Sequence, residues 1–329
     1  MLRAARRVAA ALRVSGVCAL ALTVAACADP STSRVAGIDA ARGAGSDRPL
    51  VVVATFTVLA DVVAVVGGPR VQVSAITGPG MNVHGYEPTP DDLRAAADAD
   101  LVVANGLGLE VWLHDLLDPL DVPVVTVADR VDPVPVHGTA AELGGLVVNP
   151  HAWMSPWAGQ EYVVAVAAAL GQVDPGHAAE YDERAGAFAE RLAAVGDRLE
   201  RGLADLPADH RTLVTCEGAF SYLARDAGVA EAYLWPVNAE RQGTPRQVAR
   251  VIDLVQDRGV PAVFCEWTVA PTAQQEVARE AGARFGGELY VDSLTGPDGP
   301  VPTYLDLLEH DVDLILTGLA GRPGAEGDA

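Results

Sequence analysis

The sequence predicts an α/β fold with two lobes, built from parallel sheets that are flanked by helices and joined by one long helix. Short β-branched runs alternate with longer helical patterns, the runs are apolar throughout, and one central segment has the apolar spacing of a long helix. Strands that are buried on both faces form continuous apolar runs, and their alternation with helices favours parallel sheets. The predicted strands are Leu50–Ala54, Val71–Ile76, Leu101–Ala104, Val122–Val127, Leu146–Val148, Thr212–Cys216, Ala232–Trp235, Ala262–Cys265 and Glu288–Val291.

The segment Asp174–Leu206 is predicted to be the connecting helix. Asp174 suits the N-cap, and Pro175 suits the first helical position. Such a helix of about 30 residues is roughly 45 Å long and would hold two lobes in a nearly fixed relation; one long helix inside a single larger domain is the alternative. The apolar residues on its predicted inner face are Tyr181, Ala185, Phe188, Leu192, Val195, Leu199 and Leu203. The predicted lobes are therefore residues 49–173 and 207–329, with residues 174–206 as the linker.

The first 26 residues contain four Arg and no acid, and then an apolar run of about 13 residues, which is typical of a secretory signal peptide. A membrane-spanning helix needs about 20 apolar residues, so this run is too short. It ends in Val-Ala-Ala-Cys27, which resembles the lipobox of bacterial lipoproteins and implies that Cys27 is acylated. An ordinary signal peptide with an incidental cysteine is the alternative. Residues 27–48 are rich in small and polar side chains and are predicted to be a flexible tether.

Charge and cysteine content narrow the possible classes of protein. The formal net charge is −21, which disfavours nucleic acid as a partner because DNA and RNA are bound through clustered cations. Cys216 and Cys265 are the only cysteines after Cys27, and an exported chain with two such cysteines can form one disulfide. Two buried free thiols are the alternative.

Four polar side chains follow predicted strands and are the candidate functional residues. His84 and His151 each lie between an apolar run and a predicted helix, and Glu217 and Asp292 directly follow apolar runs. Ligands of open α/β sheets bind beyond the carboxyl ends of strands, so these four positions can converge. Two imidazoles and two carboxylates can bind a divalent transition metal, and the carboxylates favour hard ions such as Mn²⁺ or Fe²⁺. The other histidines lack this setting and are interpreted as surface or structural residues: His114, His137, His177, His210 and His310.

Five motifs in order resemble the metal-binding lipoproteins of bacterial ABC importers, the manganese/zinc/iron family of solute-binding proteins. The motifs are His84-Gly-Tyr-Glu-Pro-Thr-Pro, Asn149-Pro-His-Ala-Trp-Met-Ser-Pro, Glu217-Gly-Ala-Phe-Ser-Tyr, Asn238-Ala-Glu-Arg-Gln-Gly-Thr-Pro and Asp292-Ser-Leu. The resemblance implies two pseudo-symmetric lobes around one rigid helix, with a metal held between them by His84, His151, Glu217 and Asp292. It also implies a chain that is lipid-anchored outside the cytoplasmic membrane and passes metal to a permease driven by an ATPase. We expect a monomer.

The resemblance also bears on which metal is carried. Zinc-importing members typically have His at the third ligand position and a loop rich in His and acids, whereas this chain has Glu217 and only two histidines between residues 106 and 148. Both departures favour the manganese or iron branch of the family, and we expect Mn²⁺, with Fe²⁺ and Zn²⁺ as alternatives. Zn²⁺ generally binds more tightly than Mn²⁺, so selectivity must come from geometry, availability or release.

Two other classes of protein remain as alternatives. A mononuclear metalloenzyme also uses histidines and carboxylates, but it needs an open coordination position and a nearby base. The sequence contains no Ser-based elbow motif, P-loop or Gly-rich dinucleotide motif. A surface adhesin or structural lipoprotein would not require an ordered metal site.

Overall fold

The computed structural model describes residues 48–136, 147–237 and 243–321. The predicted signal peptide, Cys27 and all but the last residue of the tether lie outside these ranges. The first half of the described chain forms a parallel four-stranded sheet in the order β2-β1-β3-β4. Its strands are β1 (Leu50–Ala54), β2 (Val71–Ala75), β3 (Leu101–Ala104) and β4 (Val124–Thr126). The strand predicted at Leu146–Val148 is not formed in the described residues: Val148 makes only an isolated antiparallel bridge to Pro135, and Leu146 lies outside them.

The second half of the chain contains two parallel strand pairs, β5–β6 and β7–β8, with β5 beside β7. The strands are β5 (Thr212–Glu217), β6 (Ala230–Trp235), β7 (Ala262–Glu266) and β8 (Arg284–Leu289). Strand β8 begins and ends earlier than the predicted Glu288–Val291. Its centre is Gly286-Gly287, where a Cβ on Gly286 would lie 2.4 Å from the Phe264 ring, so the core leaves no room for an apolar side chain there. The apolar pattern that predicts strands is therefore absent from most of β8.

Helices cover the strands in both halves. Thr89 and Asp92 form a capping box at the start of α2, and Thr244 and Gln247 form another at the start of α7. The described α-helices are α1 (Thr57–Gly67), α2 (Pro90–Ala97), α3 (Leu113–Leu117), α4 (Pro156–Val173), α5 (Ala178–Ala204), α6 (Ser221–Ala227), α7 (Pro245–Arg258), α8 (Thr272–Ala281) and α9 (Tyr304–Leu319).

Helix α5 is the predicted connecting helix, but it begins three residues later than expected. Residues Pro175–His177 form a 3-10 turn, and His177 occupies the N-cap position. The Asp174 side chain accepts one hydrogen bond from Tyr181 and contacts the His177 ring, so it stabilises the turn and does not cap the helix. All seven apolar residues predicted for the inner face of the helix are buried. We call the elements before α5 the N-terminal lobe and those after it the C-terminal lobe.

One hydrophobic core extends through both lobes. It includes side chains from β1, α1, α4, α5 and α9, and Tyr304 at the start of α9 donates a hydrogen bond to the carbonyl of Trp153. A smaller cluster lies between the C-terminal strands and helices α7 and α8. Because the main core is continuous, the lobes are packed against each other as well as linked by α5. None of the helices in the described ranges combines the length and the apolar content needed to span a bilayer.

Candidate metal centre

His84 lies in the loop between β2 and α2, as the sequence predicts. Its backbone N–H donates a 2.8 Å hydrogen bond to the Asn82 side chain, which closes a local turn. The carbonyl of Val83 accepts a 3.0 Å hydrogen bond from the indole of Trp112, and the ring of Tyr86 packs edge-on against that indole at 5.3 Å. The backbone of Val83 and the ring of Tyr86, on either side of His84, therefore anchor its loop to the N-terminal lobe.

His151 is fully buried just before a 3-10 turn, Ala152–Met154, that leads into α4. Its Nδ1 lies 2.9 Å from the side-chain oxygen of Asn149, and its backbone N–H donates to the same oxygen at 3.0 Å. The imidazole packs between the rings of His84 and Trp153, with 5.1 Å between centroids in each case. The His151 ring is thus fixed in position, with Nε2 directed toward His84.

Glu217 is the last residue of β5 and is buried. Its backbone N–H donates to both carboxylate oxygens of Glu266, the last residue of β7, at 3.2 and 3.1 Å. Gly218 follows, and a Cβ there would lie 2.6 Å from the carbonyl oxygen of Pro236. Only glycine fits this position, so the chain turns away from the strand immediately after the Glu217 carboxylate.

Asp292 lies three residues beyond the end of β8, and its loop is held by the N-terminal lobe. The carbonyl of Val291 accepts a 2.9 Å hydrogen bond from the indole of Trp153. The hydroxyl of Ser293 accepts a 2.7 Å hydrogen bond from the backbone N–H of Gly80. Residues on both sides of Asp292 are therefore bonded to the lobe that carries the two histidines.

The structure brings the four predicted residues together at one place between the lobes. The Nε2 atoms of the two histidines are 3.2 Å apart. His84 Nε2 lies 3.9 Å from a Glu217 oxygen and 3.8 Å from an Asp292 oxygen, and His151 Nε2 lies 3.8 and 3.6 Å from the same two oxygens. Two atoms that bind one ion at about 2.2 Å each can be no more than about 4.4 Å apart. All five of these separations meet this condition, and the donor atoms of His84, His151 and Glu217 all lie within 4.8 Å of one another, so the two histidines and a carboxylate could hold one divalent cation.

A bound cation would stabilise the ionised carboxylate of Asp292, because burial otherwise disfavours its negative charge. Burial raises the pKa of Asp292 above its ordinary value, an effect that His84 partly offsets, and burial also raises the pKa of Glu266 to about 8. Burial, with the nearby His84, holds the pKa of His151 well below its ordinary value, so this imidazole stays neutral. Asp292 Oδ1 is buried and accepts no hydrogen bond from the described residues. A buried oxygen without a partner is costly, and a bound cation would supply one.

A disulfide joins Cys216 to Cys265, as the sequence predicts. The bonded residues directly precede Glu217 and Glu266, so the bridge links the ends of β5 and β7 next to the hydrogen bond between those two glutamates.

The other histidines in the described ranges lie outside the cluster. His177 contacts Asp174 at 2.7 Å, and the His310 ring packs against Tyr290 with centroids 5.1 Å apart. His137 lies outside the described residues.

Sequence reasoning missed two residues that support the cluster, Glu266 and Asn149. Glu266 stands in the same relation to Cys265 as Glu217 does to Cys216, and this repetition was the available signal. Asn149 lies two residues before His151 within the motif, but the sequence gives no indication of its contacts.

Comparison with known proteins identifies the family. The family described as zinc-uptake complex component A, periplasmic, matches residues 52–318. The iron-binding protein YfeA of Yersinia pestis is 44% identical over 268 residues, which is 81% of this chain and 85% of that protein. The manganese-binding lipoprotein MntA of Halalkalibacterium halodurans is 34% identical over 272 residues, 82% of this chain and 89% of that protein.

A solved structure has the same fold. The Mn-bound periplasmic metal binding protein from Candidatus Liberibacter asiaticus superposes with a TM-score of 0.76 and 32% identity, covering 82% of this chain and 99% of that one. The chain belongs to this family, whose members are metal-binding, substrate-binding components of ABC transporters. The members of this family are transport proteins, so the fold and the cluster together place the chain in the class of metal-binding transport proteins.

Proposed function

We propose that this protein captures one divalent transition metal, Mn²⁺, with His84, His151, Glu217 and Asp292, and delivers it to a membrane permease for import. The observation that carries the proposal is the convergence of these four side chains, two from each lobe, around a buried Asp292 oxygen that has no hydrogen-bond partner among the described residues. The metal is the transported cargo. The lobe boundaries at residues 49–173, 174–206 and 207–329 are part of the same proposal.

The donor set supports Mn²⁺. Two carboxylates can balance the charge of a divalent ion, and oxygen donors suit Mn²⁺ better than an all-imidazole set would. The relative MntA is named for manganese, and the Liberibacter protein was solved with manganese bound. The four side chains are almost entirely buried, with between 0 and 8% of each exposed, so a bound ion would have little access to bulk water.

Fe²⁺ is the second candidate. The relative with 44% identity, YfeA, is named for iron, and its identity to this chain exceeds that of MntA. Fe²⁺ is also a divalent ion of similar ligand preference, so the donor set alone does not separate the two metals.

Membrane anchoring and permease delivery complete the proposal. Cys27 would carry the lipid, and the tether would hold the folded body outside the cytoplasmic membrane. Several relatives are named as lipoproteins of metal ABC transporters, which supports both steps. A permease and its ATPase are then the partners, and the chain itself performs no catalysis.

The experiment is elemental analysis of protein purified under metal-limited conditions, followed by Mn²⁺ titration in competition with Zn²⁺ and, anaerobically, with Fe²⁺. We expect one Mn²⁺ per chain and loss of binding in His84→Ala. The matched control is His114→Ala, because this exposed histidine lies outside the cluster and its loss should leave binding unchanged. Growth in metal-poor medium should fail with His84→Ala and continue with His114→Ala. Equal metal binding by the two variants would overturn the proposal.

A further inference from the structure

The buried side chain of Asn149 contacts both halves of the candidate metal centre. Its oxygen faces the ring and the backbone N–H of His151, at 2.9 and 3.0 Å. Its nitrogen donates to the carbonyl of Gly218, directly after Glu217, and, at 3.0 Å, to the hydroxyl of Ser221, the first residue of α6. One amide group therefore bridges a histidine of the N-terminal lobe and a carboxylate loop of the C-terminal lobe.

Two backbone groups fix the orientation of this amide. The Gly218 carbonyl can only accept a hydrogen bond, so the Asn149 nitrogen must face it, whereas the His151 backbone N–H can only donate, so the Asn149 oxygen must face that group. The same oxygen then lies opposite His151 Nδ1, which must carry the proton of the neutral ring. His151 Nε2 consequently presents its lone pair toward the cluster, as a metal ligand must.

The far side of the Asn149 contact is also held in place. The hydroxyl of Ser221 donates a 2.6 Å hydrogen bond to Glu231, and the other oxygen of that carboxylate accepts from the backbone N–H of Phe220 at 3.2 Å. Gly218 is confined by Pro236 and by Tyr233, whose ring would lie 2.7 Å from an added Cβ. The groups that accept hydrogen bonds from Asn149 are therefore held in place. A shift of Gly218 would move the Asn149 amide and, through it, the His151 ring.

We infer that Asn149 is a positioning residue that couples the His151 ligand to the Glu217 loop, so that the site is complete only when the two lobes meet. The inference rests on the proposed metal-binding function. It assigns Asn149 two separable roles: its oxygen fixes the proton-bearing nitrogen of His151, and its nitrogen holds the opposite lobe.

Two substitutions separate the roles. Asn149→Ala removes both contacts. Asn149→Asp keeps an oxygen opposite His151 but places a second oxygen against the Gly218 carbonyl, so it keeps the first role and loses the second. The control is Ser155→Ala, which removes a part-buried hydrogen bond between the lobes, from Ser155 to Asp226, together with the N-cap of α4, and Ser155 bonds to no residue of the cluster.

The experiment measures two quantities on the full-length chain: Mn²⁺ affinity, and the protonated ring nitrogen of His151 in the metal-free protein by ¹⁵N NMR. Loss of an outer partner of a metal-binding histidine typically weakens binding about 10- to 100-fold. We expect such a loss in Asn149→Ala, together with a mixture of His151 tautomers. Asn149→Asp should restore the Nδ1–H form and only part of the affinity. Ser155→Ala should keep the wild-type tautomer and bind within about threefold of wild type.

Several outcomes would overturn the inference. An Asn149→Ala variant that keeps the Nδ1–H form, or that binds Mn²⁺ within twofold of wild type, removes the positioning role. Full recovery of affinity in Asn149→Asp removes the coupling to Gly218. If Ser155→Ala loses as much Mn²⁺ affinity as Asn149→Ala, the effect comes from general packing between the lobes and not from Asn149 in particular. The proposed function has its own check, because it fails if wild type binds no Mn²⁺ or if His151→Ala binds as tightly as wild type.

Discussion

The Nε2 atoms of His84 and His151 lie 3.2 Å apart although the two residues come from loops separated by 67 positions in the chain. Two imidazole nitrogens at this distance can both bind one ion, and protons compete with the ion for the same lone pairs.

Mn²⁺ affinity should therefore fall as the pH is lowered from 8 to 5.5. Burial lowers the pKa of His151, so its part of the loss is displaced to lower pH, whereas the raised pKa of Asp292 brings proton competition at that carboxyl to higher pH. Titrations with Mn²⁺ at fixed ionic strength measure the effect. An affinity that stays flat over this range would contradict proton competition at the cluster.

Glu217→His should shift the preference of the site toward Zn²⁺. The substitution removes one negative charge and adds a nitrogen donor, which suits Zn²⁺ better than Mn²⁺. We expect the ratio of Zn²⁺ to Mn²⁺ affinity to rise at least about tenfold in competition titrations. Glu217→Gln is the control, because it removes the charge without adding an imidazole and should weaken both metals. An unchanged ratio in Glu217→His would argue that residue 217 does not contact the ion.

Reduction of the Cys216–Cys265 bridge should weaken Mn²⁺ binding. The bridge joins the strand ends that present Glu217 and Glu266, and the hydrogen bond between these residues depends on the same alignment. Affinity is measured with and without a phosphine reductant, with thiol counting to show that the bridge is broken. If affinity is unchanged in fully reduced protein, the bridge is a structural crosslink that does not act on the metal.

Glu231 should make the stability of the metal-free protein depend on pH. Burial raises the pKa of Glu231 from 4.5 to about 7, against the opposing hydrogen bonds from Ser221 and Phe220. Between these values the folded state keeps a proton that the unfolded chain has lost, so the free energy of unfolding falls as the pH rises from 4.5 to 7. The contribution is at most about 3 kcal/mol.

Urea unfolding of metal-free wild type and Glu231→Gln at pH 4.5, 5.5, 7 and 8 measures this contribution. The variant cannot ionise, so the wild type should lose stability relative to it as the pH rises, and the difference should level off above pH 7. Glu183→Gln is the control, since Glu183 is exposed on α5 and should show no such trend. Parallel stability curves for wild type and Glu231→Gln would exclude an ionisation of Glu231 near neutral pH.

The sequence predicts much of this architecture because its main elements have local signals. The strands β1 and β3 are continuous apolar runs, and the apolar spacing of α5 identifies all of its buried residues except Gly196. Strand β8 is mostly missed because its centre consists of two glycines, of which Gly286 packs against Phe264 and Gly287 against Leu314. The start of α5 is missed because Asp174 bonds to Tyr181 and contacts His177, an arrangement that depends on a residue seven positions further along the chain.

Part of the candidate site could also be predicted from local sequence patterns, and part could not. His84, His151, Glu217 and Asp292 follow apolar runs and stand in recognisable motifs, so their convergence could be predicted. The contact between Asn149 and Gly218 joins residues 69 positions apart, and the contact between Glu217 and Glu266 joins residues 49 apart. Such contacts depend on how two lobes and two strand pairs meet, and no local pattern encodes that.

The most direct test of the central claim is an anomalous difference map, collected at the manganese edge, from crystals of the protein loaded with Mn²⁺. The account predicts one strong peak between the lobes, at about 2.2 Å from Nε2 of both histidines and from carboxylate oxygens of Glu217 and Asp292. A peak elsewhere in the molecule would contradict the account. So would a peak at this position that lacks a bond to any one of the four side chains.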